Sequence, residues 1–403
     1  MKKVYLDHSA TTRTDEDVAK LMMEYMTEFY GNPSSIHSFG RITRKAVEEA
    51  REKVARAIGA QPDEIIFTSG GTEADNLALR GVAYANKKRG NHIITSVIEH
   101  HAVLDTCKNL AREGFDISYL PVDEHGRVNP EDVKNAITDK TILISVMHAN
   151  NEIGTIQPLR EIGAIAREKG IYLHSDTVQS IGKIPVNVDE LNIDLLSISA
   201  HKFYGPKGIG CLYMRKGARV LPISFGGAQE RKRRPGTLNV PGIVGFGLAI
   251  EKAVASIQEQ TAFQSRLRDK LIKEVKNKID YVRLNGHPTE RLPNNVNLSF
   301  QFIEGESLLL SLDMKGIAAS SGSACTSGSL DPSHVLLAIG LSHEIAHGSL
   351  RMTLGKDNTE EEIDYVIEVL PEIVERLRAM SPLYADRAKS GNHQTKGCCS
   401  NVH

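Results

Sequence analysis

The residues best suited to chemistry follow apolar, β-rich runs of the sequence. The segment SISAHKFYGPKGIG places Ser199, His201 and Lys202 after one such run, and LHSDTVQS places Asp176 and Gln179 just after another. A lysine among apolar neighbours is costly as a cation, and its lowered pKa suits Schiff-base formation with a carbonyl group. A buried aspartate needs a cationic or hydrogen-bonding partner. The two segments therefore predict a site where a lysine and an acid hold a bound group.

A third run ends in SGGTEADN, where Gly71 and Thr72 lie between a predicted strand and a predicted helix. Small residues expose backbone N–H groups, and a helix N-terminus favours anions, so this turn suits a phosphate. Alone, such a turn is more often purely structural. His100, in VIEHHAV, follows a fourth run and alone indicates only a histidine that caps its own helix. Together, the phosphate cradle, the acid and the lysine are the parts that hold pyridoxal phosphate.

The elements that carry these residues alternate between strand and helix from about residue 63. Strands are predicted in DEIIFTS, HIITSVIEH, DISYLP, TILISVMHA, GIYLHSD, LLSISAH and GIGCLYMRK, with helices such as HAVLDTCKNLAREG between the early ones. This order predicts an α/β fold with a largely parallel sheet, whose ligands bind at the carboxyl ends of the strands. After about residue 240, one long helical pattern and three separated strands predict a smaller α+β domain.

Composition excludes several classes of protein. The 403 residues carry 49 basic and 50 acidic side chains, which argues against the basic face of a nucleic-acid binder. No run of about 18 apolar residues occurs, and MKKVYLDHSATT turns polar at once, so neither a membrane span nor a secretory signal is expected. Five scattered cysteines are too few for a disulfide framework. We therefore expect a cytoplasmic protein.

The motifs, taken in order, resemble the cysteine desulfurases of the NifS/IscS type, within the class V aminotransferase group of pyridoxal-phosphate enzymes. The resemblance covers about residues 1 to 380 and is carried by YLDHSATT, NPSSIHSFGR, FTSGGTEADN, HANNEIGTIQP, HSDTVQS, SAHKFYGPKGIG, RRPGTLNVPG, LPNNVNLSF, SSGSACTSG and HGSLRMTLG. It implies a fold-type-I enzyme that converts L-cysteine to L-alanine and leaves the sulfur as a persulfide on a cysteine.

The resemblance also implies a role for each matching residue. Lys202 would form the Schiff base, Asp176 would pair with the ring nitrogen, and Gln179 would bind the ring hydroxyl. His100 would stack on the ring and move protons. Asn151 would lie beside the ring and the substrate, and Arg351 would clamp the substrate carboxylate. The phosphate would be held by Gly71, Thr72, Ser199, His201 and, from a second subunit, Thr237. A homodimer follows from the role of Thr237.

The cysteines differ in their surroundings. Cys107 lies in a predicted helix and Cys211 in a predicted strand, so both are expected in the core. Cys325 lies in SSGSACTSGSLDPSH, whose small polar residues leave a thiol exposed, as a sulfur-transferring nucleophile requires. By resemblance it accepts the sulfur, on a long loop of the NifS/IscS kind rather than the shorter SufS kind. Cys398 and Cys399 lie in a polar tail, which we expect to be frayed.

One motif points to different chemistry. LSHEIAHGSLRM contains His343, Glu344 and His347 with the spacing of a zinc-protease helix. The stretch is only a few residues long, and Gly348 interrupts it just before a predicted strand. The resemblance implies another role for this segment, which is to place Arg351 in the active site. We therefore expect no metal site here.

The expected organisation has three parts. Residues 16–255 form a large cofactor-binding α/β domain, residues 1–15 with 256–382 form a small α+β domain that carries the Cys325 loop, and residues 383–403 form the tail. The sulfur acceptor implied by the resemblance is an iron–sulfur scaffold of the IscU/NifU type. An aminotransferase or a selenocysteine-preferring lyase is the alternative, and neither needs the Cys325 thiol. The sequence leaves open whether the sulfur serves general cluster assembly, nitrogen fixation or thiolation of transfer RNA.

Overall fold

The computed structural model describes residues 2–321, 332–382 and 384. The strands of these residues, β1 to β12 in chain order, are Val4–Tyr5, Ile65–Thr68, His92–Ser96, Asp116–Leu120, Thr141–Ser145, Tyr172–Asp176, Leu195–Ser199, Gly210–Met214, Val282–Leu284, Asn295–Phe300, Ile317–Ala318 and Ser349–Thr353. The α-helices, α1 to α13, are Glu16–Thr27, Ser38–Ile58, Gly71–Asn86, His101–Arg112, Pro130–Ala136, Leu159–Lys169, Gln229–Lys232, Val240–Ala255, Ile257–Lys278, Gly305–Asp313, His334–Ala338, His343–His347 and Glu360–Ala379.

A seven-stranded sheet forms the centre of the molecule, in the order β2-β8-β7-β6-β5-β3-β4. The neighbours from β7 to β4 pair in parallel, and β8 runs antiparallel to both β2 and β7. The predicted mostly parallel α/β sheet is therefore confirmed. Because β2 is then parallel to β7, the turns after β2, β3, β6 and β7 all open on one edge. The predicted site residues Gly71, Thr72, His100, Asp176, Gln179, Ser199, His201 and Lys202 lie along this edge.

Helices cover both faces of this sheet because their apolar residues recur every three or four positions. In α4, Val103, Cys107 and Leu110 are buried and pack with α3 against one face. The other face packs against α2, α6 and α8. The strands β3, β5 and β7 are buried along their whole length, as expected for a parallel sheet between two helical layers.

A second apolar core lies in the C-terminal part of the chain. It surrounds the antiparallel sheet β12-β10-β9 and includes buried residues of α9, α10 and α13. The N-terminal segment belongs to the same core, since Val4 and Leu6 are buried in it and β1 pairs in parallel with β11. These packing clusters support the division into large and small domains, which stays a proposal.

The long helical pattern after residue 240 forms two helices rather than one. The helices α8 and α9 meet at Ser256 with a bend of 68°. This break turns the chain, since α8 packs with α1 and α2, whereas α9 packs with α13. Within the described ranges, no single helix is long and apolar enough to cross a membrane. Only α8 and α9, taken together as one bent segment, have the required length and composition.

Candidate active site

An open cleft at the start of α3 has the features of a phosphate site. It measures about 350 Å³, and its lining residues are Thr11, Ser69, Gly70, Gly71, Thr72, Glu73, Ser199, His201, Lys207 and Gly208. The first N–H groups of an α-helix have no partner within the helix and attract anions. Four residues predicted for the phosphate, Gly71, Thr72, Ser199 and His201, line this one cleft.

Gly71 is required here by close packing. A Cβ atom at this position would lie 2.7 Å from Cγ2 of Val178, in the turn that follows β6. The glycine thus lets the N-terminus of α3 approach the turn that carries Asp176 and Gln179. His201 is fixed on the other side of the cleft, since its Nδ1 lies 3.1 Å from the Thr11 hydroxyl. Burial, with Lys202 and Lys207 nearby, lowers the pKa of His201 to about 4, so its ring is neutral.

Lys202 ends a short 3-10 turn, Ala200–Lys202, which follows directly on β7. Its amine donates to the carbonyl oxygens of Ser9 at 2.6 Å and Ala10 at 2.7 Å. These carbonyls belong to the N-terminal YLDHSATT segment, which therefore holds the amine at the end of β7. A mobile lysine side chain thereby gains a defined position at the strand edge.

Asp176 is the last residue of β6 and is buried, with 6% of its surface exposed. Its Oδ1 accepts a hydrogen bond of 2.9 Å from the Val178 amide. Burial and the nearby Asp75 carboxyl raise the pKa of Asp176 to about 6, although His100 opposes the shift. Among the described residues, no lysine or arginine forms an ion pair with it. A pyridinium N–H is the kind of partner that such a carboxylate requires.

His100 is the N-cap of α4, and its Nδ1 accepts a hydrogen bond of 3.1 Å from the Ala102 amide. The helix-capping interpretation is therefore right, but it does not exclude a second role. Burial lowers the pKa of His100, Asp176 raises it and Lys202 lowers it, which places the ring near both charged groups. The capping bond occupies Nδ1, so Nε2 is the atom left to handle a proton.

Arg351 lies on β12, buried to 2% exposure, and meets the predicted Asn151. Its Nη1 donates to the Asn151 carbonyl at 3.1 Å, and its Nη2 pairs with Asp7 at 3.0 Å. Its Nε is buried and has no hydrogen-bond partner within the described part of the chain. A guanidinium with an unused buried donor suits the clamping of a substrate carboxylate.

Thr237 lies apart from the cleft of its own chain. It is exposed in the loop between α7 and α8, and that loop is tied to α3 through Arg234, whose Nε lies 2.9 Å from Glu73. Within one chain, Thr237 does not line the phosphate cleft. This placement agrees with the expectation that Thr237 serves a second subunit, which stays a proposal.

The described cysteines lie in the core as predicted. Cys107 and Cys211 are buried and unpaired, and burial raises the pKa of both thiols, that of Cys107 to about 12. Neither is therefore a thiolate nucleophile. Cys325, Cys398 and Cys399 lie outside the described residues.

The H-E-x-x-H stretch forms only the five-residue helix α12, which ends at His347 with Gly348 as its C-cap. His343, Glu344 and His347 are all exposed. Across the ranges that the structure describes, no group of three or more histidine, cysteine or acidic side chains is arranged to hold a metal ion. Just beyond this helix, β12 carries Arg351 into the site.

Several residues of the site are not among those predicted from the sequence. Asp7 pairs with Arg351, Thr11 and Lys207 line the phosphate cleft, and Lys183 donates to Gln179. Three of them stand inside motifs that carried the resemblance, YLDHSATT and SAHKFYGPKGIG. Lys183 stands four residues after Gln179, and no motif signalled it.

These residues fit pyridoxal phosphate at each of its polar groups. The cleft at α3 would take the phosphate, the buried Asp176 carboxylate the ring nitrogen, and the Lys202 amine the aldehyde carbon. The fit rests on two observations: a glycine whose added Cβ would lie 2.7 Å from Val178 Cγ2, and a buried acid that is paired with no described lysine or arginine.

Comparisons with known proteins agree with this chemistry. The family model for aminotransferase class-V matches residues 4–366. A cysteine desulfurase IscS of Methanosarcina thermophila is 60% identical over 382 residues, which are 95% of this chain and 94% of that protein. Another, from Clostridium botulinum, is 58% identical over 391 residues, 96% of this chain and 98% of that protein. A solved NifS-like protein matches with a TM-score of 0.88 at 42% identity, covering 93% of this chain and all of that one.

Proposed function

This chain belongs to the aminotransferase class-V family of pyridoxal-phosphate enzymes, and we propose that it is a cysteine desulfurase of the NifS/IscS type. The reaction takes L-cysteine to L-alanine and leaves the sulfur as a persulfide on Cys325. The observation that carries this proposal is that Lys202, Asp176 and His100 lie at one edge of the large sheet, where Arg351 of β12 reaches the Asn151 carbonyl beyond the end of β5. The names of the relatives at 58–60% identity support the same substrate.

Each residue has one task in binding. Lys202 holds the cofactor through its amine, Asp176 keeps a proton on the ring nitrogen, and Gln179 donates to the ring hydroxyl. The phosphate is held by Gly71, Thr72, Ser199 and His201. Arg351 and Asn151 orient the substrate so that its α-proton faces Lys202. Charge-assisted bonds to the carboxylate make this orientation strong.

Proton transfer follows from the same positions. When bound, the cofactor supplies an electron sink for the bond broken at the substrate α-carbon. Lys202 Nζ would be the base that removes the α-proton. His100 lies near Lys202 and Asp176, and its Nε2 handles the proton of a thiol. Because burial keeps the ring of His100 neutral near pH 7, it can accept that proton.

Sulfur transfer is the task of Cys325. Its thiolate attacks the sulfur of bound cysteine, an S–S bond forms, and the C–S bond breaks. The electron pair of the C–S bond goes to the substrate carbon, which is protonated and leaves as alanine. The two buried cysteines cannot replace Cys325, because their thiols do not ionise near neutral pH.

We also propose a homodimer, in which Thr237 of each chain completes the phosphate site of the other. An apolar surface supports it: Tyr30, Ile36, Phe39 and Ile42 are 46% to 86% exposed near the start of α2. A shallow pocket joins this region to the Thr237 loop, since Pro33, Ser34 and Leu238 line it together. Apolar surface next to a loop that serves another chain is typical of a subunit interface.

The acceptor and the compartment follow from the same proposal. An iron–sulfur scaffold of the IscU/NifU type would receive the persulfide sulfur, which the IscS names of the relatives support. The sparse cysteines support a reducing, cytoplasmic setting.

The direct test is to load the purified protein with pyridoxal phosphate and incubate it with L-cysteine and a thiol reductant. We expect sulfide and alanine in equal amounts. Omission of the reductant should leave the sulfur on the protein, where mass spectrometry of the Cys325 peptide would detect it. Pyruvate with ammonia, or transfer of the amino group to a keto acid, would contradict the proposal.

A further inference from the structure

A lysine near the cofactor site has no part in the function proposed above. Lys183 lies in the turn after β6, four residues beyond Gln179. Its amine donates to two oxygens of that residue, the carbonyl at 3.0 Å and the side-chain Oε1 at 3.2 Å. It therefore contacts a residue that is expected to touch the cofactor, and it does so through the amide that makes the contact.

The charge on Lys183 has no acidic partner among the described residues. The cations Lys202 and Arg351 are the charged groups that act most strongly on it. Its surface is partly accessible, because it lines a cavity of about 260 Å³ beside Lys202, yet its amine is surrounded by protein atoms. Burial and the two cations lower the pKa of the amine to about 7. A lysine that is costly to bury and unpaired with an acid calls for a functional explanation.

A continuous chain of hydrogen bonds joins this lysine to the catalytic one. Lys183 donates to Gln179 Oε1, Gln179 Nε2 donates to the Ser9 carbonyl at 3.0 Å, and Lys202 donates to that same carbonyl at 2.6 Å. An ammonium group can only donate and a carbonyl can only accept. The orientation of the Gln179 amide is therefore fixed at both ends, with its N–H groups away from Lys183.

We propose that Lys183 is a positioning residue of the cofactor site, which fixes the Gln179 amide so that the N–H not used by the Ser9 carbonyl is left for the cofactor, and which adds a positive charge beside Lys202. This inference rests on the proposed function, since it concerns the same bound pyridoxal phosphate. A fixed N–H donor stabilises the ring oxygen as an anion, which an amide turned the other way would repel. Preorganised donors of this kind need no rearrangement when charge develops.

Both effects act on the Schiff-base nitrogen in the same direction. Below about pH 7, where the Lys183 amine is protonated, its positive charge disfavours the protonated form of that nitrogen. A donor to the ring oxygen lowers the ability of this oxygen to share the proton of the nitrogen. Lys183 therefore lowers the pKa of the Schiff base, and its removal should raise that pKa by about one unit.

The test is a pH titration of the absorption band of the cofactor-loaded protein, without cysteine. In Lys183→Met, the midpoint should move to higher pH by about one unit. Lys183→Arg keeps the charge and a donor, so its midpoint should lie close to that of the unchanged protein. Lys183→Gln keeps a donor without the charge and should lie between the two. Cofactor content and thermal unfolding are measured on each variant, and Lys183→Gln replaces Lys183→Met if the latter loses the cofactor.

Lys252 provides a matched control. It lines the same cavity, but its amine is paired with Asp15 at 2.6 Å and Asp17 at 2.7 Å. Lys252→Met should therefore leave the midpoint unchanged. An unchanged midpoint in the neutral Lys183 variants, a move to lower pH, or an equal move in Lys252→Met would overturn the proposal. Failure of the unchanged protein to bind pyridoxal phosphate would contradict the proposed function instead, and with it this inference.

Discussion

At the cofactor end of the site, Asp176 and Ser199 are the last residues of β6 and β7, and Lys202 ends the short turn that follows β7. At the substrate end, Arg351 is held by Asp7, which is 344 positions away in the chain, and by Asn151, which is 200 positions away. The first arrangement is built mainly by a single sheet, with the N-terminal carbonyls of Ser9 and Ala10 added at Lys202. The second needs segments from three distant parts of the sequence. The cofactor end is therefore set mainly by the large sheet, whereas the substrate end depends on how the two cores meet.

The largest effect should come from the cofactor end. Lys202→Ala removes the amine that bonds to the cofactor, so covalent attachment and activity should both be lost. Borohydride reduction of the native protein, followed by mass spectrometry of its peptides, should place the cofactor on Lys202. The matched control is Lys207→Ala, whose amine lies in the same region of the chain but lines the phosphate cleft. A labelled peptide from another part of the chain would contradict the assignment.

Cys325→Ser separates sulfur transfer from both ends of the site. Sulfide production should fall to background, because a serine hydroxyl is a far poorer nucleophile toward sulfur than a thiolate. Pyridoxal phosphate and cysteine should still bind, as seen in the absorption spectrum, because Lys202 and Arg351 are unchanged. Cys107→Ser, in the core, serves as the control and should keep its turnover. Near-native sulfide from Cys325→Ser would refute the persulfide mechanism.

Arg351→Ala breaks the substrate end alone. Loss of a charge-assisted bond costs about 1.5–3 kcal/mol, which corresponds to roughly a ten- to hundredfold weaker binding of cysteine. The cofactor content should not change, since the phosphate cleft and Asp176 lie on the other sheet. Spectral titration with cysteine measures the affinity. Normal affinity in the variant would mean that the carboxylate clamp lies elsewhere.

The smallest effect concerns stability at the substrate end. Burial raises the pKa of Glu152 to about 7, although Ser333 and Arg351 oppose the shift. A carboxyl whose folded pKa exceeds its unfolded value of about 4.5 makes the protein less stable as the pH rises from about 4.5 to 7. Glu152→Gln stays neutral and should lose this dependence, gaining about 1–3 kcal/mol relative to the unchanged protein at pH 8. Thermal unfolding of both proteins is measured at pH 5 and at pH 8. An equal change in stability between the two pH values in both proteins would contradict this prediction.

The contrast between the two ends explains what the sequence could predict. The α/β fold and the positions of Lys202 and Asp176 follow from apolar runs that end in unusual residues, a signal contained in a few consecutive positions. The resemblance extended this to Arg351 and Asn151, whose meeting no local pattern shows. Asp7 was missed because it acts through a contact across the fold. Lys183 was missed because its contact with Gln179, four residues away, belongs to no motif. The break at Ser256 was missed because the apolar pattern continues through it, although tertiary packing bends the chain there.

The N-terminal segment also has a consequence for how the protein is made. Its residues Val4 and Tyr5 pair with Ile317 and Ala318, and the Ser9 amide bonds to the Thr353 side chain. During synthesis at about 5–20 residues per second, these early residues therefore wait on the order of 20–70 s for partners that are translated more than 300 positions later. The large sheet, from Ile65 to Met214, can be completed long before that. The carbonyl of Ser9 that receives Lys202 therefore reaches its place last, and a ribosome-bound chain can fold its central sheet without yet having a finished catalytic centre.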